Sequence, residues 1–314
     1  MPEMETLSRP QTAEDRRIEE AGLSVIIPAY NECLGVGSVI EALSDDLKPL
    51  KDWPFEIIVV DDGSSDGTVD IAEETGARVI RHKSNRGYGA ALKTGIRAAR
   101  YGVICITDAD GTYPNGRIPD LLERLNESDS SMVVGARTGA DVAIPFLRRA
   151  VKRVIVNMAG LVVNQRIPDL NSGLRVFRRK IAMRFLSLLP NGFSFTTTIT
   201  MAMLSNGYIV EFIPIDYYER VGRSKFRPIG DTFNFVSLVM RIALYFTPLK
   251  VFLPLSGLML VLAIMWALIT KLVFGLLADV STMVIVMASV QVAVVGLLAE
   301  LISKRLPNYY RDEE

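Results

Sequence analysis

Two uncharged apolar runs near the C-terminus constrain this chain most. Val251 to Thr270 and Val280 to Ala299 contain no Asp, Glu, Lys or Arg. Each matches the ~20 helical residues needed to cross a bilayer. One such run alone reads equally well as the buried helix of a soluble core. Two in tandem, joined only by Lys271 to Asp279 at the end of an otherwise mixed sequence, read as a membrane hairpin. Arg241 and Lys250 precede the first run, and Lys304, Arg305 and Arg311 follow the second. The hairpin itself offers only Lys271. Positively charged residues are retained on the cytoplasmic side. The expectation is an integral membrane protein with both ends, and the large N-terminal domain, on the cytoplasmic face (the inner membrane in a bacterium).

The rest of the chain has another character. The whole sequence holds 35 basic and 35 acidic side chains in 314 residues, so no basic surface for nucleic acid is indicated. Its two cysteines, Cys33 and Cys105, imply no disulfide framework, and a reducing compartment is the simpler expectation. Residues 1–21 are polar and lack the apolar stretch of a secretory signal; they read as a mobile tail or a frayed amphipathic helix.

From Leu23 onward, short apolar runs alternate with segments of helical spacing. Strands are expected at Leu23–Ala29, Phe55–Val60, Ala77–Arg81, from Val103, at Met132–Gly135, after the Asp169–Arg175 loop and at Ile209–Pro214. Helices are expected at Val36–Leu47, Thr68–Thr75, Ala90–Arg100, Ile118–Leu125 and, as one long element, Pro145–Val163. This alternation argues for an α/β domain with a mostly parallel sheet. Thr232–Tyr245 reads either as an interfacial helix or as a core helix.

In such a sheet, ligands bind beyond the carboxyl ends of the strands. Three polar loops directly follow strands: Tyr30-Asn31-Glu32, Asp61-Asp62-Gly63-Ser64 and Asp108-Ala109-Asp110-Gly111. Strand ends need polar turns in any case, which accounts for Gly and Ser but less well for repeated carboxylates. Asp108 and Asp110, two apart on an extended backbone, point the same way. They offer hard oxygen ligands suited to Mg²⁺ or Mn²⁺, which would hold phosphates. Gly87 and Gly89 precede a helix as in a phosphate loop, a weak signal without the full dinucleotide fingerprint. Arg148 and Lys152 share one helix face, as do Arg149 and Arg153. Such a face is usually solvated; near a membrane it could hold a lipid phosphate.

These segments, in this order, carry a resemblance: Val25-Ile26-Ile27-Pro28-Ala29-Tyr30-Asn31-Glu32, Val59 to Thr68, Asn85-Arg86-Gly87-Tyr88-Gly89-Ala90-Ala91, Asp108-Ala109-Asp110-Gly111, Ser172-Gly173-Leu174-Arg175 and Arg220-Val221-Gly222-Arg223-Ser224-Lys225. From Leu23 to the C-terminus the chain resembles the family 2 glycosyltransferases, in particular the polyisoprenyl-phosphate enzymes related to dolichol-phosphate mannose synthase. The resemblance implies a GT-A fold over 22–230, an interfacial helix at 231–247, two transmembrane helices within 248–303 and a short cytoplasmic tail. It implies inverting transfer of a hexose from a nucleotide-diphosphate sugar (GDP-mannose or UDP-glucose type) to dolichyl or undecaprenyl phosphate.

Residue roles follow from the same resemblance. Pro28, Tyr30 and Glu32 would line the nucleotide pocket, and Asp61 or Asp62 would contact base or ribose. Asp108 and Asp110 would bind nucleotide sugar and metal, with Asp110 the more direct ligand. Arg137 would lie near the transferred phosphates. Arg148 and Lys152 would meet the acceptor phosphate, although Lys152 stands where the family usually has serine. Ser172 and Arg175 would join that acceptor site. Arg220 and Lys225 would close over acceptor and pyrophosphate. Asp169 is the remaining carboxylate, to orient the acceptor or to act as a base. His82, the only histidine, receives no role.

Two rivals stand beside this reading: a transferase for another lipid or glycan acceptor, and a non-catalytic module that binds nucleotide sugar. A two-span hairpin is too small to form the channel of a processive polysaccharide synthase. The sugar, the nucleotide, the lipid length and any homo-oligomer are not legible.

Overall fold

The computed structural model describes residues 21–50, 53–138, 167–218, 247–275 and 279–305, with residues 160, 165, 240, 243 and 244 between them. The expected helices at 145–163 and 232–245, and the N-terminal tail, lie largely or wholly outside these residues. The chain divides into two compact units; the first carries a seven-stranded sheet and the second the apolar hairpin.

In chain order the first unit contains β1 (Leu23–Ala29), α1 (Val36–Leu47), β2 (Phe55–Asp61), α2 (Thr68–Glu74), β3 (Arg78–Arg81), α3 (Tyr88–Ala98), β4 (Val103–Ile106), α4 (Ile118–Glu127), β5 (Met132–Arg137), β6 (Arg175–Arg178), α5 (Arg179–Phe185), α6 (Phe195–Ser205) and β7 (Val210–Ile215). The sheet order is β3-β2-β1-β4-β6-β5-β7. The central strands are buried along their length, all seven residues of β1 and all four of β4. That is why they read as unbroken apolar runs instead of alternating ones. α1 closes one face with Val36, Val39, Ile40, Leu43 and Leu47, spaced three and four apart and all buried.

One strand runs against the rest. β6 is antiparallel to both its neighbours, with Arg175 in register with Ile106 of β4 and Val134 of β5. β1, β2, β3 and β4 are mutually parallel, as are β5 and β7. Six strands therefore end at one edge of the sheet, and β6 begins there. The loop 169–174 reaches that edge from the opposite direction to all the others.

α5 and α6 were not expected from the sequence. Phe195–Ser205 is rich in threonine, which is a weak helix former, and it is buried at almost every position, so no amphipathic stripe marks it. Its hydroxyls turn back on the helix: Thr198 Oγ1 donates to the Ser194 carbonyl at 2.8 Å and Thr200 Oγ1 to that of Thr196 at 2.9 Å.

In the second unit, α7 (Leu249–Phe274) and α8 (Asp279–Arg305) pair as a hairpin. Only 11 % of each apolar window is buried, the opposite of a core helix in a soluble protein. A reciprocal clasp joins them, Ser256 Oγ donating to the Ser289 carbonyl at 2.8 Å and Ser289 Oγ to that of Ser256 at 2.9 Å. With no water in hydrocarbon, such groups need internal partners.

Candidate active site

The loops after β1 and β2 are bonded into one wall. The backbone N–H of Asn31 donates to Ser64 Oγ at 2.8 Å, that of Glu32 to Thr68 Oγ1 at 3.0 Å and that of Cys33 to Asp66 Oδ2 at 3.2 Å. Ser65 N–H returns to Asn31 Oδ1 at 3.0 Å. Asn31 can close this wall because its backbone adopts φ 54°, a left-handed conformation that asparagine tolerates. Pro28 is buried within β1, whereas Tyr30, 37 % exposed, stands at the rim beside the half-buried Glu32.

Asp61 and Asp62 both reach this edge, but their oxygens serve the protein. Asp61 accepts from the N–H groups of Gly63 and Ser64, the latter at 3.1 Å, and lies 3.5 Å from Arg81 Nε. Asp62 accepts from the N–H groups of Arg86 at 2.9 Å and Gly87 at 2.7 Å. It also meets His82 Nδ1 at 2.7 Å, whose Nε2 faces Thr94 Oγ1 at 2.9 Å. His82 thus has a place the sequence did not disclose: it links β3 and α3 to the carboxylate that shapes the turn between them.

That turn looks like a phosphate loop in sequence, yet its glycines answer to a close approach. A Cβ on Gly89 would lie 2.3 Å from the Pro190 carbonyl oxygen. Ala90 N–H donates to the Asn191 carbonyl at 3.0 Å, and Lys93 Nζ to Asn191 Oδ1 at 2.9 Å. Phe193, largely exposed, stacks on the Tyr88 ring with centroids 5.5 Å apart.

Tyr88 leads to the aspartate pair. Its hydroxyl donates to Asp108 Oδ1 at 2.9 Å. Burial, then the neighbouring Asp108 charge, push the Tyr88 phenol well above its ordinary pKa, so it remains a donor. On the other side of Asp108, a Cβ on Gly173 would come within 2.9 Å of Oδ2, so only glycine lets the 169–174 loop approach. Tyr113 secures that loop by accepting the Gly173 N–H at 2.6 Å. Asp110, buried, accepts from Thr112 N–H at 3.2 Å and Thr112 Oγ1 at 2.7 Å. An open groove of about 450 Å³ adjoins the next residue, Gly111, between α1 and the Tyr113–Arg117 segment.

Among the described residues no group of three or more His, Cys, Asp or Glu side chains could hold a metal. Two hard carboxylates two residues apart still suit Mg²⁺ or Mn²⁺, because such ions commonly take one or two protein carboxylates and complete their shell with water and phosphate.

At the end of β5, Arg137 meets Asp169 bidentately, with Nε to Oδ2 at 2.7 Å and Nη2 to Oδ1 at 3.0 Å. The Arg137 N–H adds a third bond to Oδ2 at 3.2 Å, and Asn171 N–H a fourth to Oδ1 at 3.0 Å. The guanidinium lies over the Tyr217 ring, 5.2 Å from its centroid. Burial alone would raise the Asp169 pKa; the hydrogen bonds and charge of Arg137 more than reverse it and hold it below the usual carboxylate range. A carboxylate so held is a poor proton acceptor.

Ser172 and Arg175 require a correction. Both are fully buried, and Arg175 donates to the Thr196 carbonyl and Thr200 Oγ1, each at 2.9 Å, and to the Ser172 carbonyl. Through Nη1 and Nη2 the guanidinium fastens α6 to the loop, whereas its Nε and the Ser172 Oγ are buried without a hydrogen-bond partner among the described residues. Burial lowers the Arg175 pKa to about 10, and it stays charged at neutral pH. Arg148, Lys152, Arg220 and Lys225 lie outside the described residues.

The chain's similarities agree with this architecture. The "GtrB C-terminal hairpin" profile matches residues 247–305. A dolichyl-phosphate hexose transferase of Haloferax volcanii is 32 % identical over 209 residues, 66 % of this chain and 88 % of that protein. A dodecaprenyl-phosphate galacturonate synthase of Rhizobium johnstonii is 25 % identical over 332 residues, 99 % of this chain and 95 % of its own. Among solved structures, the glucosyl-3-phosphoglycerate synthase of Mycobacterium tuberculosis with Mn²⁺, UDP-glucose and phosphoglyceric acid shares the fold. It has a TM-score of 0.54 and 21 % identity, covering 76 % of this chain and 86 % of that one. The profile "Glycosyl transferase family 2" matches residues 24–186, more than half of the chain, which is a member of that glycosyltransferase family.

Proposed function

We propose that this glycosyltransferase moves a hexose from a nucleotide-diphosphate sugar to a polyprenyl phosphate, with inversion, at the cytoplasmic face of a membrane. The carrying observation is similarity over both parts of the chain at once, the catalytic domain and the hairpin, to a relative named as a dodecaprenyl-phosphate sugar synthase. The hairpin keeps the enzyme on the bilayer that retains such an acceptor. The excess of basic residues flanking the two spans supports the cytoplasmic orientation.

The donor would lie along the sheet edge, its base and ribose against the Tyr30–Glu32 and Asp61–Ser64 wall. Asp108 and Asp110 would hold Mg²⁺ or Mn²⁺ there, which when bound would neutralise charge on the leaving diphosphate. A phosphate monoester has a second pKa of ~6, so the acceptor is already largely ionised at neutral pH. No strong general base is needed. An acceptor oxygen attacks the anomeric carbon as the bond to the nucleoside diphosphate breaks, and inversion follows from a single displacement. Two anions must approach, so the protein's task is cationic screening and positioning. Arg137, fixed by Asp169, would supply one cation at the edge. Arg148, Lys152, Arg220 and Lys225 would supply others at the acceptor. This assigns Asp169 to positioning.

The test uses the full chain in detergent with undecaprenyl or dolichyl phosphate and radiolabelled GDP- and UDP-sugars, with Mg²⁺, Mn²⁺ or EDTA. Metal-dependent label in the organic phase from one donor is expected, and its loss in Asp110→Asn along with Mn²⁺ binding. Turnover that moves label only to a water-soluble acceptor would refute the lipid assignment.

A further inference from the structure

The chain's zero net charge conceals a division. Residues 75–107 and 170–210 hold twelve of the 35 basic side chains and none of the 35 acidic ones, which leaves 23 basic against 35 acidic elsewhere. The fold brings these two stretches together on one side of the sheet. Gly95 of α3 abuts Ile26, on the opposite face of β1 from Val25 and Ile27, which share a core with α1. α5 lies beside α3: Arg179 donates to the carbonyls of Ile96 at 3.0 Å and Arg97 at 3.2 Å. The Pro190–Phe193 segment follows, held through Asn191 to Ala90 and Lys93 of α3.

Part of this charge is used inside the fold. Arg175 is buried, and Arg78, Arg81 and Arg178 meet Glu56, Asp61 and Asp129. Among the described residues, Lys83, Lys93, Arg97, Arg100 and Arg184 have no ion-pair partner. Lys93 and Arg97 stand four apart on α3, a like-charge pair that disfavours the helix; burial, then the Arg97 charge, lower the Lys93 pKa. Beside them three apolar side chains remain in water: Phe193 is 78 % exposed, and Leu188 and Met183 are 40 % exposed each.

One kind of surface relieves both features. Anionic lipid headgroups neutralise the cations, and the layer beneath them accepts Phe193, Leu188 and Met183. A nucleic acid would answer the charge but leave Leu188 and Met183 in water. We propose that the α3–α5 face docks on the anionic surface of the bilayer that holds the hairpin. Two observations select that surface over a soluble acidic partner. The hairpin keeps a lipid surface beside every copy of the domain, so docking is an intramolecular event. The face also borders the catalytic edge, because Phe193 stacks on Tyr88, whose hydroxyl donates to Asp108. The phosphate of a lipid acceptor lies at headgroup level, and docking brings that edge to it. The proposal rests on the membrane-spanning reading of the hairpin and deepens the proposed function by giving the catalytic domain a lipid contact of its own.

The test uses the full-length chain in liposomes, in a Cys33→Ser background, with a fluorophore at Leu188→Cys or, on the opposite face, at the exposed Glu41→Cys of α1; Cys105 is buried. Lipid carrying a nitroxide headgroup quenches a probe that reaches the surface. Quenching at 188 but not at 41 is expected in phosphatidylcholine vesicles containing phosphatidylglycerol, with much less in phosphatidylcholine alone, and it should fall with added salt. A basic residue near an anionic surface is worth about 5-fold in binding. Lys93→Gln with Arg97→Gln should therefore lower the docked-to-undocked ratio by about 25-fold. Arg97→Gln alone, which breaks no side-chain bond, should lower it by about 5-fold with an unchanged melting temperature. Equal quenching at both positions, no dependence on phosphatidylglycerol, or an unchanged ratio in both variants would overturn the docking. So would a probe at 188 shielded from aqueous iodide yet unquenched by lipid, which would assign the face to a protein partner or a second copy. No substrate is present, so failed sugar transfer and failed docking are read separately. Extraction of the wild type by alkaline carbonate would overturn the membrane-spanning reading and the docking with it.

Discussion

Replacing Asp169 by asparagine separates a positioning carboxylate from a catalytic base. Asparagine keeps the shape but removes the charge, and its NH₂ must face a guanidinium N–H where an oxygen now accepts. Of the two side-chain bonds at 2.7 and 3.0 Å, one is lost and the other loses its charge assistance. Hydrogen bonds to charged groups contribute about 1.5–3 kcal/mol each. At about 1.4 kcal/mol per decade, a loss of roughly 2–3 kcal/mol bounds the fall in kcat/KM at about 30- to 150-fold. Removal of a true base can cost as much, so the size alone does not discriminate. The double-mutant cycle does. If Asp169 acts through Arg137, adding Asp169→Asn to Arg137→Met costs little further, because the partner it orients is gone. An unchanged full penalty in that background, or a displaced acid limb in the kcat profile of Asp169→Asn, would refute the positioning role.

The same pair sets an acid limit on stability. Aspartate in the unfolded chain titrates near 3.9, and Asp169 in the fold lies lower despite its burial, because of Arg137. Its contribution is complete above about pH 4 and is lost as pH falls through the folded value. Thermal denaturation in detergent between pH 3 and 6 should show this loss in the wild type and a flatter curve in Asp169→Asn. Tyr88→Phe removes only the hydroxyl on Asp108 and should weaken Mn²⁺ binding several-fold, read by electron paramagnetic resonance, with the melting temperature nearly unchanged. Unaltered Mn²⁺ affinity would show that the bond does not orient Asp108. Gly89→Ala forces a Cβ to within 2.3 Å of a backbone oxygen, and the cost of such overpacking is about 1–3 kcal/mol; proteolysis at 190–193 should accelerate if that segment is displaced, and an unchanged cleavage rate would contradict the close approach. Arg175→Met deletes a buried cation with at least three partners and should lower thermal stability without selectively raising the acceptor KM; a stable variant with a raised acceptor KM would reinstate Arg175 at the acceptor site.

The sheet was legible because its central strands are apolar without interruption and the loops that follow them carry the repeated carboxylates. β1 and α1 coincide with the apolar runs that suggested them, and β2 extends one residue further, to Asp61. The antiparallel insertion of β6 was not legible, since a four-residue strand carries no sign of its direction. α6 was hidden because complete burial erases the stripe that reveals a helix, and its threonines suggest strand. Within the proposed site, Asp108 and Asp110 stand out by residue type and spacing after a strand, whereas Arg137 was suggested only by the family resemblance. The Tyr88–Phe193 stack, the His82–Asp62 contact and the Arg137–Asp169 pair each join residues 20 or more apart. Nothing local marks such pairs. Arg175 misled for a related reason: its motif suggested the acceptor site through the family resemblance, and only burial reveals that it holds the fold.

The reversed strand also dictates an order of construction. As the chain is synthesised, β1 to β4 can assemble into a complete parallel block from residues already made. β5 cannot join them, because its only link to β4 is β6, which leaves the ribosome later. Met132–Ala136, apolar and destined for full burial, therefore waits as an unpaired strand while the next forty or so residues emerge, seconds at ordinary synthesis rates. β4, which leads to Asp108, and β5, which ends at Arg137, join one sheet only when β6 slides between them. Only β7 is added later still, and a chain halted before Arg175 would carry the bonded loops after β1 and β2 but not the strand that ties β5 to β4.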